Sequence, residues 1–281
     1  VLTKLQTGRI VGALESGAMR LIGIFNLTGP ERVAVSEFIT GEPYAEQWDD
    51  SGRNLCEKAP WPNSDPFAEP HWNGWGNGLA NTRFQSAEHA KLKPSDIPNL
   101  ELKWAYAFPG ETFMESQPTV VGGRLFMGSP NGTVYALDAK TGCTHWRFKA
   151  AAPVKAPVTI GKVGDDQYAA FFGDQSGRVY SLDAANGALR WQDVGDDHPS
   201  ARVTGGVQIH KGKLYVPMAS FEEALAMAPD YTCCVFRGSV LAYEADSGER
   251  LWKQFTIKQE PSPIGRDTNG KVMHGPSGAA V

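Results

Sequence analysis

The chain is expected to be all-β and to form part of a propeller of stacked four-stranded sheets. Three observations predict this. The segment GTVYALDAKTGCTHW at 132 to 146 returns as GRVYSLDAANGALRW at 177 to 191 and again as GSVLAYEADSGERLW at 238 to 252. The closing Trp residues fall at 104, 146, 191 and 252, so the first two separations are 42 and 45 residues. A fixed period in that range marks propeller blades, and a hairpin this small buries its apolar surface only against copies of itself. Finally, 31 Gly, 19 Pro and 8 Trp in 281 residues suit a turn-rich β protein.

Each unit has the same parts. Gly132, Asp138, Gly142 and Trp146 stand at the same offsets as Gly177, Asp183, Gly187 and Trp191, and as Gly238, Glu244, Gly248 and Trp252. The strand after the first Gly is apolar on both faces, as in a strand buried between packed sheets. The acidic residue opens turn chemistry: a carboxylate that accepts backbone N–H groups, followed by a Gly free to take positive φ.

In chain order, residues 1–41 predict two helices. Leu2, Leu5, Ile10, Val11, Leu14, Ala18 and Leu21 make the first stripe. Thr28-Gly-Pro-Glu31 is a capping box for the second, with Val33, Ala34, Phe38 and Ile39 as its apolar positions and Gly41 as its stop. Residues 42–70 are a Pro-rich and polar linker carrying Cys56. The run HWNGWGNGLANTRFQ at 71–85 reads as an entry loop whose aromatics cover the first blade. Residues 100–108 end a partial blade at Trp104. Blades follow over 117–146 and 153–191, and a further one begins at Arg202. Asn131-Gly132 is a two-residue hairpin signal within the first of them. The last blade is interrupted by FEEALAMAPDYTCCVFR at 221–237, which accounts for the longer spacing of 61 before Trp252. Another would start at GPSGAAV, 275–281. The chain begins inside a helical pattern and stops inside an unfinished repeat, and is read as a fragment.

Lys and Arg number 27 against 31 Asp and Glu, a formal charge of −4. With no basic run, this argues against a nucleic-acid surface. No apolar run is long enough to span a bilayer. The four Cys, at 56, 143, 233 and 234, form neither CxxC nor CxxCH. His198, His210 and His274 lack metal-ligand spacing.

The repeats resemble those of quinoprotein dehydrogenases, whose propeller binds pyrroloquinoline quinone (PQQ), and in particular the polyvinyl-alcohol dehydrogenase-like quinohaemoproteins. The likeness is carried by WNGWGNGLANTRFQ at 72–85, LKWAYAFPG at 102–110, TGCTHW at 141–146, DDHPSARVTG at 196–205, PDYTCCVFRGSV at 229–240 and GPSGAAV at 275–281. It spans essentially everything from residue 71 onward, and its specific element is the Cys-Cys pair followed by Arg and Gly.

The resemblance implies an eight-bladed ring, of which residues 71–281 supply about three and a half blades. It implies a cytochrome c-like domain ahead of the propeller, with residues 1–41 as its end. Met19 is then the candidate axial ligand of a haem c whose attachment motif is not in this chain, although a core Met on a helix face reads equally well. It implies PQQ and calcium as cofactors, alcohol substrates, a c-type cytochrome as electron acceptor and a periplasmic location. A disulfide between Cys233 and Cys234 would stack on PQQ. Arg237 would pair with a carboxylate or quinone oxygen, or else serve as a salt-bridge partner at a strand start. Arg202, Thr204 and Ser277 are further contacts at the ring's rim. Glu222 and Glu223 either contribute oxygen to calcium or are solvated, and the catalytic base is not identifiable. A disulfide between Cys56 and Cys143 is possible in an oxidising compartment. The competing reading is a non-catalytic propeller scaffold of the same repeat.

Overall fold

The computed structural model describes residues 29–40, 54–57, 60–62, 64–109, 111, 113–165, 167–228 and 231–278. Met19 and the first expected helix lie outside them. The second helix is present as α1 (Gly29–Thr40). Phe38 is 90% exposed while Ser36 is fully buried, which departs from the expected apolar face. At 100° per residue, positions 33, 34, 38 and 39 spread over about 240° of the circumference, too far to share one face. Next come the short helix α2 (Ala87–Ala90) and a 3₁₀ helix over Pro94–Asn99.

The repeat then becomes sheets. β1 (Thr119–Val121), β2 (Arg124–Gly128), β3 (Thr133–Asp138) and β4 (Thr144–Lys149) form one antiparallel meander in chain order. β5 (Thr159–Lys162), β6 (Tyr168–Gly173), β7 (Arg178–Asp183) and β8 (Leu189–Val194) form a second. In the third, β9 (Ala201–Arg202) and β10 (Gln208–His210) share the place of the first strand beside β11 (Lys213–Ser220). The short helix α3 (Glu222–Leu225) and a loop follow, then β12 (Ser239–Glu244) and β13 (Arg250–Phe255) complete the sheet. A hairpin, β14 (Ser262–Arg266) with β15 (Val272–Gly275), ends the described chain.

The sequence repeat is also a repeat of backbone irregularity. The register shifts between Ala136 and Leu137, Ser181 and Leu182, and Ala242 and Tyr243, the same offset in each blade. Asp138 accepts from the amides of Lys140 at 3.0 Å and Thr141 at 2.8 Å, and Asp183 does the same for Ala185 and Asn186. Glu244, one methylene longer, binds Lys213 Nζ at 3.0 Å instead. Gly142, Gly187 and Gly248 all take φ near +75° (74°, 76° and 77°), as the turn reading requires.

The core lies between neighbouring sheets. Phe126, Val134, Trp146, Ile160, Phe172 and Leu182 are buried together between the first two. Phe171, Val203, Leu214, Met218, Leu241 and Tyr243 fill the space between the second and third. Both faces of the middle sheet are thus covered, which is why its strand Tyr168–Gly173 reads as continuous apolar sequence. Trp104, Trp146 and Trp191 each donate from Nε1 to a turn carbonyl of the following blade, those of Ala139, Ala184 and Ala245.

The segment 100–108 forms no strand. Tyr106 and Phe108 instead lie edge-on to Tyr135, and Trp104 sits against Gly142. A strand needs a hydrogen-bonded neighbour, and among the described residues this segment has none to pair with. A disulfide joins Cys56 to Cys143 with Cα atoms 5.2 Å apart, tying the linker to the first sheet. No described helix is long and apolar enough to cross a membrane.

The run at 71–85 reaches further than a cover for one blade. Trp72 pairs with Val120 on β1, Asn73 bonds both the N–H and the C=O of Ile160 on β5, and Gly74 N donates to Thr119 Oγ1. Trp75 then approaches the third sheet near Gln208 and Pro217. The chain crosses the first strands of all three blades.

Candidate functional site

Successive hairpin turns of a meander alternate between its two ends. The turns β2–β3 and β6–β7, the connection β8–β9 and the insertion between β11 and β12 therefore share one end of the blades. The Cys pair sits on that insertion. β11 runs to Ser220, and α3 makes a single turn closed by Ala226 N donating to Glu222 O at 2.8 Å. The chain returns through Tyr231 to Cys233 and Cys234, which are half-buried, joined by a disulfide and linked by a cis peptide bond.

Two sets of contacts hold this return. On one side, Glu222 is 2% exposed and its carboxyl group faces the residues that follow the pair. Its Oε1 accepts from Val235 N at 3.0 Å and from the Tyr231 hydroxyl at 2.9 Å, and its Oε2 accepts from Phe236 N at 2.7 Å. His198 Nε2, from the β8–β9 connection, stands 3.7 Å from Oε1, and its ring meets Phe236 edge-on. Desolvation, with the bond to Glu222 adding to it, pushes the Tyr231 phenol above its ordinary value. On the other side, Cys233 O accepts from His274 N at 3.1 Å, and Gly278 N donates to Phe236 O at 3.1 Å. Ser277, half-buried, lies two residues past the end of β15, between these two contacts.

Arg202 belongs to the same end of the blade. β9 pairs with the end of β11, its guanidinium lies 4.5 Å over the Phe221 ring, and Nη1 donates to Gln175 O at 3.2 Å. Phe221 immediately precedes Glu222, so one short stretch carries both the Arg202 contact and the loop's anchor. Thr204 falls in the break between β9 and β10, where it is exposed and lines an open cleft of about 540 Å³ with Trp75, Asn81, Arg83, Gln208 and Pro217. Arg237 points elsewhere. Its guanidinium lies 3.9 Å over the Phe255 ring, donates to Lys258 O at 3.0 Å and meets Glu260 at 3.3 Å. Those are the contacts of the salt-bridge alternative.

The structure therefore brings Cys233, Cys234, Arg202 and the segment carrying Ser277 to one end of the third blade, with Thr204 in a neighbouring cleft. Glu222 is committed to the loop and Glu223 is exposed. Among the described residues no three His, Cys, Asp or Glu side chains cluster as a metal site. The partnership of Glu222 with His198 was not legible, because they stand 24 positions apart with the three strands β9, β10 and β11 between them. Its only signal was an acidic residue at the mouth of an insertion. The disulfide and the Arg202 guanidinium, with the Ser277 hydroxyl, are the groups at this end that could hold a flat, carboxylate-bearing quinone.

Residues 73–265 match a family model described as outer membrane protein assembly factor BamB. Over 223 residues the chain is 42% identical to a polyvinylalcohol dehydrogenase of a Pseudomonas species, covering 78% of this chain and 34% of that protein. It is 26% identical over 215 residues to the quinohemoprotein alcohol dehydrogenase of Comamonas testosteroni, covering 72% and 28%. The crystal structure of that enzyme superposes with a TM-score of 0.54 at 23% sequence identity, covering 72% of this chain and 28% of that one. The chain spans about a third of the length of the curated relatives it matches.

Trp-latched meanders in this order define a β-propeller built from PQQ-type repeats. Within that class, the chain belongs to the family of PQQ-dependent dehydrogenases.

Proposed function

We propose that the whole protein, a ring of eight such blades, oxidises alcohol groups with PQQ bound at the end of the blades that carries Cys233 and Cys234. The observation that carries the reading is the Cys233–Cys234 disulfide, set half-buried on the blade-end insertion of a chain this similar to polyvinylalcohol dehydrogenases.

When bound, PQQ supplies an electrophilic ortho-quinone carbonyl, and calcium at that carbonyl would strengthen it as a Lewis acid. The residues of this chain do the holding. The disulfide offers a face with no competing donor, Arg202 offers its guanidinium to a carboxylate, and Ser277 and Thr204 offer hydroxyls. Arg237, engaged with Phe255 and Glu260, braces the strand that follows the pair. The substrates are secondary alcohols or polymers bearing them, each oxidised group becoming a carbonyl with loss of two electrons and two protons. A c-type haem would serve as the electron acceptor, and Met19, in a cytochrome-like unit ending near residue 41, is the residue that would ligate it. The protein works in an oxidising compartment, the periplasm, a reading supported by two disulfides among its four Cys residues.

The test is reconstitution. The full-length protein given PQQ and calcium is expected to reduce an artificial dye with a secondary alcohol, and Cys233→Ala to remove most of that turnover. Unchanged turnover in the variant overturns the assignment of the pair. The description of the matching family model favours a second reading, a propeller that scaffolds membrane-protein assembly. That reading requires no quinone, so absence of PQQ binding by the full-length protein selects it.

A further inference from the structure

We propose that Glu222 is the positioning residue for the disulfide: an acidic clasp that holds the Cys-bearing loop in place through its backbone. Residues 231 to 236 form no strand, and the flanking segment binds them only through carbonyls, His274 N to Cys233 O and Gly278 N to Phe236 O, among the described residues, so the loop's amides need another partner. Such a stretch opens locally unless something satisfies its amides.

Glu222 does so from a fixed base. Its backbone sits in α3 directly after β11, and both carboxyl oxygens are used: Oε1 by Val235 N and the Tyr231 hydroxyl, Oε2 by Phe236 N. The two amides belong to the residues immediately after Cys234, so Glu222 fixes the pair from its C-terminal side while His274 N holds Cys233 O from the other. His198 completes the arrangement. Ser200 N donates to its Nδ1 at 3.2 Å, which makes Nδ1 the acceptor and leaves Nε2 as the N–H facing Oε1. Neither role the sequence left open fits this carboxylate: at 2% exposure it is not solvated, and N–H and O–H donors already surround the oxygens a cation would need. A buried carboxylate with three N–H or O–H donors is strongly held, and losing one acceptor leaves an amide without a partner.

The clasp stands on contacts within the chain. It rests on the proposed cofactor reading only for its consequence, a correctly placed plate for the quinone. The experiments keep the two apart. In the full chain, amide hydrogen exchange at Val235 and Phe236 is expected to be slower than at exposed loop positions such as Asn269. In Glu222→Gln, whose amide nitrogen faces a donor, reduction of Cys233–Cys234 by dithiothreitol is expected to accelerate roughly tenfold. That rate is read by alkylation and mass spectrometry, with the Cys56–Cys143 bond as internal control at an unchanged rate.

Unprotected amides in the wild type overturn the clasp even if the variant fails to fold. So does an unchanged reduction rate in a folded variant. So does a wild-type reduction rate that slows on adding calcium while the variant does not respond, since that outcome makes Glu222 a cation ligand instead. Faster reduction together with no PQQ binding by the wild type supports the clasp and removes the cofactor reading.

Discussion

The indole of Trp191 occupies the space that a side chain on Gly248 would need. A Cβ built there would lie 2.6 Å from the Trp191 ring, while Trp191 Nε1 donates to Ala245 O in the same turn at 3.0 Å. The same relation joins Trp104 to Gly142 and Trp146 to Gly187, at 2.8 Å and 2.7 Å. The period in the sequence is thus an inter-blade joint repeated three times among the described residues.

Gly248→Ala is expected to cost about 2–4 kcal/mol, combining left-handed backbone strain with a clash against a large ring. Gly164, at φ +65° with nothing near its Cβ position, supplies the control. Gly164→Ala should cost only the backbone part, about 1–2 kcal/mol. Urea unfolding of both variants measures the difference, and equal losses would show that the indole does not set the requirement for Gly.

Cys56→Ser opens a loop whose ends are 87 residues apart. The loop-entropy estimate puts the loss at about 4.6 kcal/mol, and less if the unfolded chain is compact. Because the variant leaves Cys233–Cys234 in place, it also separates the two effects of a thiol reductant. Thermal unfolding should fall, with PQQ binding by the folded protein unchanged.

Asp138 contributes to the acid limb of stability. Burial, the largest influence, pushes its carboxyl up, but the Thr141 hydroxyl and the amides of Thr141 and Lys140 outweigh it, and the group ends below its ordinary value of 3.8. A depressed carboxylate stabilises the fold above the unfolded-state value and loses that contribution as pH falls through the folded one. Asp138→Asn is therefore expected to lower stability at pH 7 and to flatten the fall below about pH 4. Denaturant midpoints at pH 7 and pH 3 for both proteins measure it, and parallel acid limbs would refute the assignment.

Arg237→Lys separates bracing from cofactor binding. Lysine keeps the charge but loses the flat stacking on Phe255 and the forked reach to Lys258 O and Glu260. About 1 kcal/mol of stability should go, with PQQ affinity in the full-length protein within about twofold. A tenfold loss of affinity at unchanged stability would return Arg237 to the site.

The blades were legible because their information is local. Gly132, Asp138, Gly142 and Trp146, with their copies, specify a strand, a turn and a latch within fifteen residues, and alternation together with turn chemistry acts over that distance. The adjacent cysteines and the resemblance of their surroundings were visible for the same reason. Other features depend on which elements meet. The chain at 71–85 shows only Trp, Asn and Gly until three first strands are set side by side for Asn73 and Gly74 to bridge. The Cys56–Cys143 bond was one of several pairings open to four cysteines. Arg237, read beside the cysteines in sequence, turns to Phe255 because the strand it opens faces β13. His198 and Glu222 meet only because the connection before β9 and the insertion after β11 emerge at the same end of one sheet. Sequence by itself determined the repeating hairpin and the family, since both are written in short-range pattern. Only the tertiary structure decided what clasps the sulfur pair, because side chains far apart in the chain become neighbours through packing alone.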